Sequence, residues 1–192
     1  MVTRPSTEAR LLDAADELLF THGVATTPVD AILERAGASP ATLYRAYGSK
    51  DGLVAAALER RQRSWMRVWE DYVERAPDER ARLLAVFDAL DHFRGRPDGA
   101  RWCAFLGTAA EYADPPPVVA AAVQQDTDDL RTRLTELAAP VVGSRRAEGL
   151  AESLLLVVSG DLAMRLRTGG AGDSTLARSV ADAVVDAALS HG

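Results

Sequence analysis

Apolar positions recur at three- and four-residue spacing along all 192 residues, and no stretch alternates with period two. The pattern predicts helices and no strand. Leu11, Leu12, Ala15, Leu18 and Leu19 mark a first helix over about 6–21, stopped by Gly23. Thr27-Pro28-Val29-Asp30 reads as the next start: Thr27 as cap, Pro28 in the first position, Asp30 as the capping-box acid. That short helix ends at Gly37. Ser39-Pro40 repeats the cap-plus-proline signal for another, through Tyr47. Gly48 breaks it, and Ser49 caps a long helix to Arg75 whose stripe is Leu58, Trp65, Trp69 and Tyr72. Further helices are expected over 78–94, 100–112, 118–139 (ending before Pro140), 144–167 and 174–189. Nine helices result, without internal repeats. The expected fold class is all-α, with a three-helix N-terminal domain over 1–50 and a larger helical domain over 51–192.

Composition narrows the class. With 47% hydrophobic and 26% charged residues, the chain is neither disordered nor fibrous. No apolar run approaches membrane-spanning length, and acids interrupt the apolar N-terminal stretch, so neither a membrane span nor a signal peptide is expected. A single cysteine, Cys103, excludes an internal disulfide and a cysteine zinc site. A soluble cytoplasmic protein is expected. Net charge is −6, which at first argues against nucleic acid, yet residues 35–50 hold Arg35, Arg45 and Lys50 and no acid. Lys50 is the only lysine among 22 basic residues.

The two short helices joined through Ala36-Gly37-Ala38-Ser39 fit a helix-turn-helix. In the second, Leu43 and Tyr47 share a face and should bury. The opposite side offers Thr42, Tyr44 and Arg45, groups suited to phosphates and base edges. Thr27 and Ser39 stand at helix N-termini, where free N–H groups and the dipole favour anions. Lys50 sits in the first turn of a helix, where a cation opposes the dipole by about 0.3–1 kcal/mol. A phosphate opposite would account for that placement.

Residues 10–58 resemble the TetR (tetracycline-repressor-like) family of transcriptional regulators. The resemblance rests on Ala15, Phe20, Gly23, Thr27, Val29, Ile32, Ala36-Gly37, Ser39, Thr42-Leu43-Tyr44, Tyr47, Ser49-Lys50 and Leu53. It implies that Thr27, Thr42, Tyr44 and Lys50 contact phosphates of double-stranded DNA and that Arg45 reads bases. Three positions depart from the family pattern: Tyr47 replaces the usual phenylalanine, Ala46 a polar residue such as histidine, and Leu33 an alanine. The loss at 46 bears on one DNA contact.

The resemblance also implies a C-terminal domain that binds a small effector and forms a homodimer. Helices eight and nine supply the interface candidates Leu154, Val158, Gly160, Leu162, Val180 and Val184, as half of an intersubunit four-helix bundle. The effector candidates are the aromatic residues Trp65, Trp69, Trp102 and Phe105 with the polar groups His92, Cys103, Glu111 and Gln125. Such a lining suits an apolar or aromatic compound.

Catalysis finds little support. His22, His92 and His191 are scattered, without an i, i+4 pair or HExxH, so no metal is expected. Cys103, His92 and Glu111 could form a nucleophile, base and orienter, but a buried structural cysteine is the simpler reading. The glycines at 169–172 follow a helix and make a loop, so no phosphate cradle and no cofactor is expected. The expectation is a repressor released from a palindromic operator by a small molecule. An activator of the same family, or an all-helical binding or catalytic protein with a structural helix-turn-helix, is the alternative.

Overall fold

A computed structural model describes residues 6–96, 103–169 and 172–190. Its helices are α1 (Thr7–His22), α2 (Val29–Ala36), α3 (Pro40–Tyr47), α4 (Lys50–Arg75), α5 (Glu79–Arg94), α6 (Ala104–Glu111), α7 (Pro117–Val142), α8 (Ser144–Thr168) and α9 (Thr175–Ser190). No strand occurs among the described residues.

Local chemistry sets most of these ends. Ser6 caps α1 by accepting from the Ala9 N–H, and Asp78 caps α5 by accepting from Ala81 at 2.8 Å. Gly37 adopts a left-handed conformation after α2: its N–H bonds the Glu34 carbonyl and the Ala38 N–H bonds that of Leu33. These two bonds make a Schellman closure, which turns the chain sharply into α3. Ser39 then caps α3 with Pro40 in its first turn, and Ser49 accepts from the Gly52 N–H to start α4.

Three expected boundaries move. α2 begins at Val29 with no side-chain cap, because the Thr27 hydroxyl turns inward and donates to the Gly23 carbonyl at 2.7 Å. α6 begins at Ala104 with Cys103 as its N-cap; the expected start over 100–102 lies outside the described residues. α7 runs through Pro140 to Val142, since a proline in the last turn forfeits a single hydrogen bond and the Gly143 N–H closes on the Ala139 carbonyl.

The chain divides into two compact units: the described residues of Met1–Gln62 with Ala100–Gln124, and those of Arg63–Gly99 with Gln125–Gly192. This division differs from the expected break at 50, because α6 and the start of α7 group with the N-terminal helices. The first unit packs Leu11, Ala15, Leu19 and Phe20 of α1 around Ile32, Leu43, Leu53, Leu58 and Phe105. The second packs Trp65, Trp69, Val73, Phe87, Leu134, Leu154, Val158 and Val185. Leu43 buries completely and Tyr47 partly, as their shared face requires.

Candidate nucleic-acid interface

Within the first unit, α2 and α3 are each eight residues, too short to hold their own geometry. Tertiary bonds to the backbone hold it instead. The Arg10 guanidinium donates to the Ala36 carbonyl at 2.9 Å, the Tyr47 hydroxyl to that of Glu8, and the Lys50 ammonium to that of Val24 at 2.5 Å. Arg60 reaches Asp13 and the Leu12 carbonyl, and the nearly buried Arg61 pairs with Asp16 and lies 5.5 Å from the Phe20 ring centroid. Burial pushes the Tyr47 phenol up, with the nearby Glu8 adding to it.

These contacts decide which polar groups remain available. Arg35 pairs with Glu17 at 2.7 Å, and Lys50 holds Val24. Of the three cations in 35–50, only Arg45 has no partner among the described residues. It is exposed, beside Tyr44, which is 54% exposed and also unbonded through its hydroxyl. Ser39 and Thr42 share a 3.0 Å hydroxyl contact at the start of α3. Thr27 stands apart. It is buried, and its hydroxyl serves the Gly23 and Leu18 carbonyls, so it presents neither a cap nor a free phosphate donor.

The effector candidates are divided between the two units. Trp65, Trp69, His92 and Gln125 belong to the second unit, Cys103, Phe105 and Glu111 to the first, and Trp102 lies outside the described residues, as does His191. Trp65 stacks on Trp69 at 5.8 Å and meets the Phe93 edge at 5.7 Å, while His92 lies 5.7 Å from Tyr72. Trp69 is 1% exposed and its indole N–H has no acceptor among the described residues. Phe105 is core, Cys103 packs against that core, and exposed Gln125 donates to Asp129. The Glu111 carboxylate accepts from the Ala25 N–H at 2.6 Å, in the connection leading to α2. Tyr112 beside it donates to Asp51, and burial with that contact pushes its phenol up to about 12.

In the second unit, Leu154 and Val158 are also corrected: both lie fully within the core of their own chain. Leu162 and Val184 are half-buried against that core, whereas Gly160 has open space around it and Val180 is exposed. The most exposed large apolar residues of α8 and α9 are Leu156 at 74%, Met164 and Leu176 at 77%. Residues 154–158 in the middle of α8 are an unbroken apolar run, so periodicity alone does not separate its inner face from its outer one there.

Sequence reading missed three features. Gly52 is one: a Cβ there would lie 2.0 Å from the Tyr47 carbonyl oxygen. Asp126 on α7 is another, its carboxyl pushed up to about 7 by burial and by Asp129. The unsatisfied Trp69 N–H is the third, and no sequence signal marks it. Among the described residues, no group of His, Cys, Asp and Glu could hold a metal, and no helix is long and apolar enough to cross a membrane.

Comparison with known proteins agrees with this geometry. Residues 11–57 match the family model described as bacterial regulatory proteins, tetR family. The HTH-type transcriptional repressor Rv3405c of Mycobacterium tuberculosis is 31% identical over 102 residues, covering 44% of this chain and 54% of the relative. The uncharacterized HTH-type transcriptional regulator YvkB of Bacillus subtilis is 44% identical over 52 residues, 27% of this chain and 28% of the relative. The chain thus spans about half the length, or less, of the curated relatives it matches. Two solved structures align along most of their length. SCO4454, a TetR-family regulator from Streptomyces coelicolor, has a TM-score of 0.78 at 27% identity, covering 96% of this chain and 95% of that one. The regulator sav143 from Streptomyces avermitilis has a TM-score of 0.79 at 29% identity, covering 96% and 98%.

Proposed function

Because the chain belongs to the tetR family of bacterial regulatory proteins, we propose that it is a homodimeric transcriptional regulator that represses from a palindromic operator until a small molecule releases it. The observation that carries this reading is the exposed side of α3. Tyr44 and Arg45 stand there with no partner among the described residues, on a helix whose position is fixed by backbone bonds. Arg45 reads a base edge in the major groove, guanine being the base its fork suits best, and Tyr44, Thr42 and Ser39 bond phosphates. Residues 1–50 form the reading part in this scheme and the remainder carries effector and dimer functions. The protein works in the cytoplasm, without a cofactor or an enzymatic step.

The effector reading draws on Trp69. A buried N–H without an acceptor costs roughly 1–3 kcal/mol, and native proteins seldom tolerate one. Beside the stacked Trp65 and the Phe93 edge, that donor suits an apolar or aromatic compound bearing an acceptor oxygen. Such a compound should quench tryptophan emission and release DNA at the same concentrations. One that releases DNA and binds Trp69→Phe equally well would place the pocket elsewhere. The dimer reading uses α8 and α9, with Leu156, Gly160, Met164, Leu176 and Val180 facing a second copy.

Gel retardation and footprinting on the DNA upstream of the protein's own coding region test the whole. The expected footprint has two-fold symmetry, with half-sites about 34–36 Å apart. Arg45→Ala should relax preference at one base pair and cost roughly 1–3 kcal/mol there. Absence of retardation, or a single asymmetric half-site, rejects the reading.

A further inference from the structure

The connection between α1 and α2 contains one peptide group held at both ends. Its carbonyl, that of Val24, accepts from the Lys50 ammonium at 2.5 Å. Its N–H, that of Ala25, donates to the Glu111 carboxylate at 2.6 Å. No cis peptide is present, so this C=O and N–H point in opposite directions and the cation and anion grip opposite edges of one plane. Both bonds are charge-assisted, and each polarises the amide in the sense that strengthens the other.

Everything around the plane accommodates this grip. Gly23 has φ +103°, and a Cβ there would stand 3.1 and 3.2 Å from the two Glu111 oxygens, so a side chain would displace the carboxylate. The Val24 side chain is buried. Tyr112, next to Glu111, donates to Asp51, next to Lys50. Because α2 lacks a side-chain cap, the connection before it sets where the helix begins.

We propose that Lys50 and Glu111 form a clamp on the Val24–Ala25 peptide, and that Glu111 is thereby a positioning residue for operator binding although it touches no DNA. The proposal rests on the DNA-binding reading and deepens it: the end of α6 is a point from which the reading helices can be set or released.

The test uses the full chain and two readouts, exchange of the Ala25 amide and operator affinity across a salt series. In Glu111→Ala the Ala25 amide should lose protection. Operator affinity should fall about tenfold, equivalent to about 1.4 kcal/mol. The salt slope should stay unchanged, because no phosphate contact is removed. Glu111→Gln, which keeps a carbonyl acceptor, should recover most of the protection and affinity, and it serves if the alanine variant folds poorly. Lys50→Met should cost less protection in the Glu111→Ala background than in the wild type. Unchanged Ala25 protection in Glu111→Ala overturns the clamp. Lost protection with unchanged operator affinity overturns its role in positioning. A wild type that binds no operator rejects the DNA reading alone, and the exchange readout still decides the clamp.

Discussion

The two compact units use their arginines and acids differently. In the first, long polar side chains reach main-chain atoms of neighbouring elements: Arg10 to Ala36, Tyr47 to Glu8, Lys50 to Val24, Arg60 to Leu12, and Glu111 to the Ala25 N–H. In the second, guanidinium–carboxylate pairs between helices are the more prominent, although the first has Arg35–Glu17 and Arg61–Asp16 and the second has main-chain bonds such as Arg146 to Ala188. Arg80 binds Asp182 and Asp186, Arg178 binds Asp88, Arg133 binds Glu70 and Arg131 binds Glu152. Bonds to the main chain fix where loops and helix ends lie, which two eight-residue helices need. Pairs between side chains fix long helices against each other and tolerate small shifts of backbone. The unit that holds α2 and α3 is pinned chiefly at its main chain, and the other is tied chiefly through its side chains.

The strongest way to break this contrast lies in the second unit, where one ion cluster is buried. Arg165 is 5% exposed and bonds Asp161, Asp91 and the Ser174 hydroxyl, while Asp91 also accepts from the Ser174 N–H at the start of α9. Arg165→Ala leaves Asp161, whose carboxyl is already pushed up by burial, without its paired cation and leaves Asp91 with Arg94 alone. Removing one partner of a buried pair costs roughly 3–5 kcal/mol. Chemical denaturation should register that loss, and a change below 1 kcal/mol would mean the cluster is not structural.

Next is Gly52, where the first unit is least forgiving. A methyl group 2.0 Å from the Tyr47 carbonyl must push α3 away from the start of α4. Gly52→Ala should cost about 3 kcal/mol and abolish operator binding even where folding persists. Gly52→Ala with wild-type stability and binding would show that this junction is compliant. The smallest effect concerns Asp126. Its carboxyl titrates near 7 when folded, against about 3.9 when unfolded, so the folded state holds the extra proton. Stability therefore declines as pH rises from about 4 to 7. Asp126→Asn should flatten that decline and leave the variant the more stable of the two at pH 8. Thermal melts at pH 5 and 8 check it; parallel curves for wild type and variant would contradict the assigned shift.

What was legible follows the range of the interactions. The Gly37 stop, the Ser39-Pro40 start and the Ser49 cap are local events, and each appears where its residues announce it. The burial of Leu43 followed from spacing alone. Thr27 misled because a threonine before proline looks like a cap, whereas its hydroxyl is engaged four residues back. The Glu111 contact was not legible because its partner is 86 residues away, and nothing in a sequence ranks one distant amide over another. Leu154 and Val158 looked like interface because an apolar stripe does not say whether its own chain or a second copy covers it. Gly52 carries no local signal, since the carbonyl that excludes its Cβ comes from the preceding helix.

The single lysine has a consequence for chemical labelling. With 21 of its 22 basic side chains as arginine, the chain offers amine-selective acylating reagents one side-chain target, Lys50. That amine is half-buried and bonded to Val24, so its acylation rate reports how often the α1–α2 connection lets go. Operator DNA should slow the reaction and an effector that loosens the connection should speed it. The mass increment of the peptide that carries Lys50 would follow both, with no probe introduced into the protein.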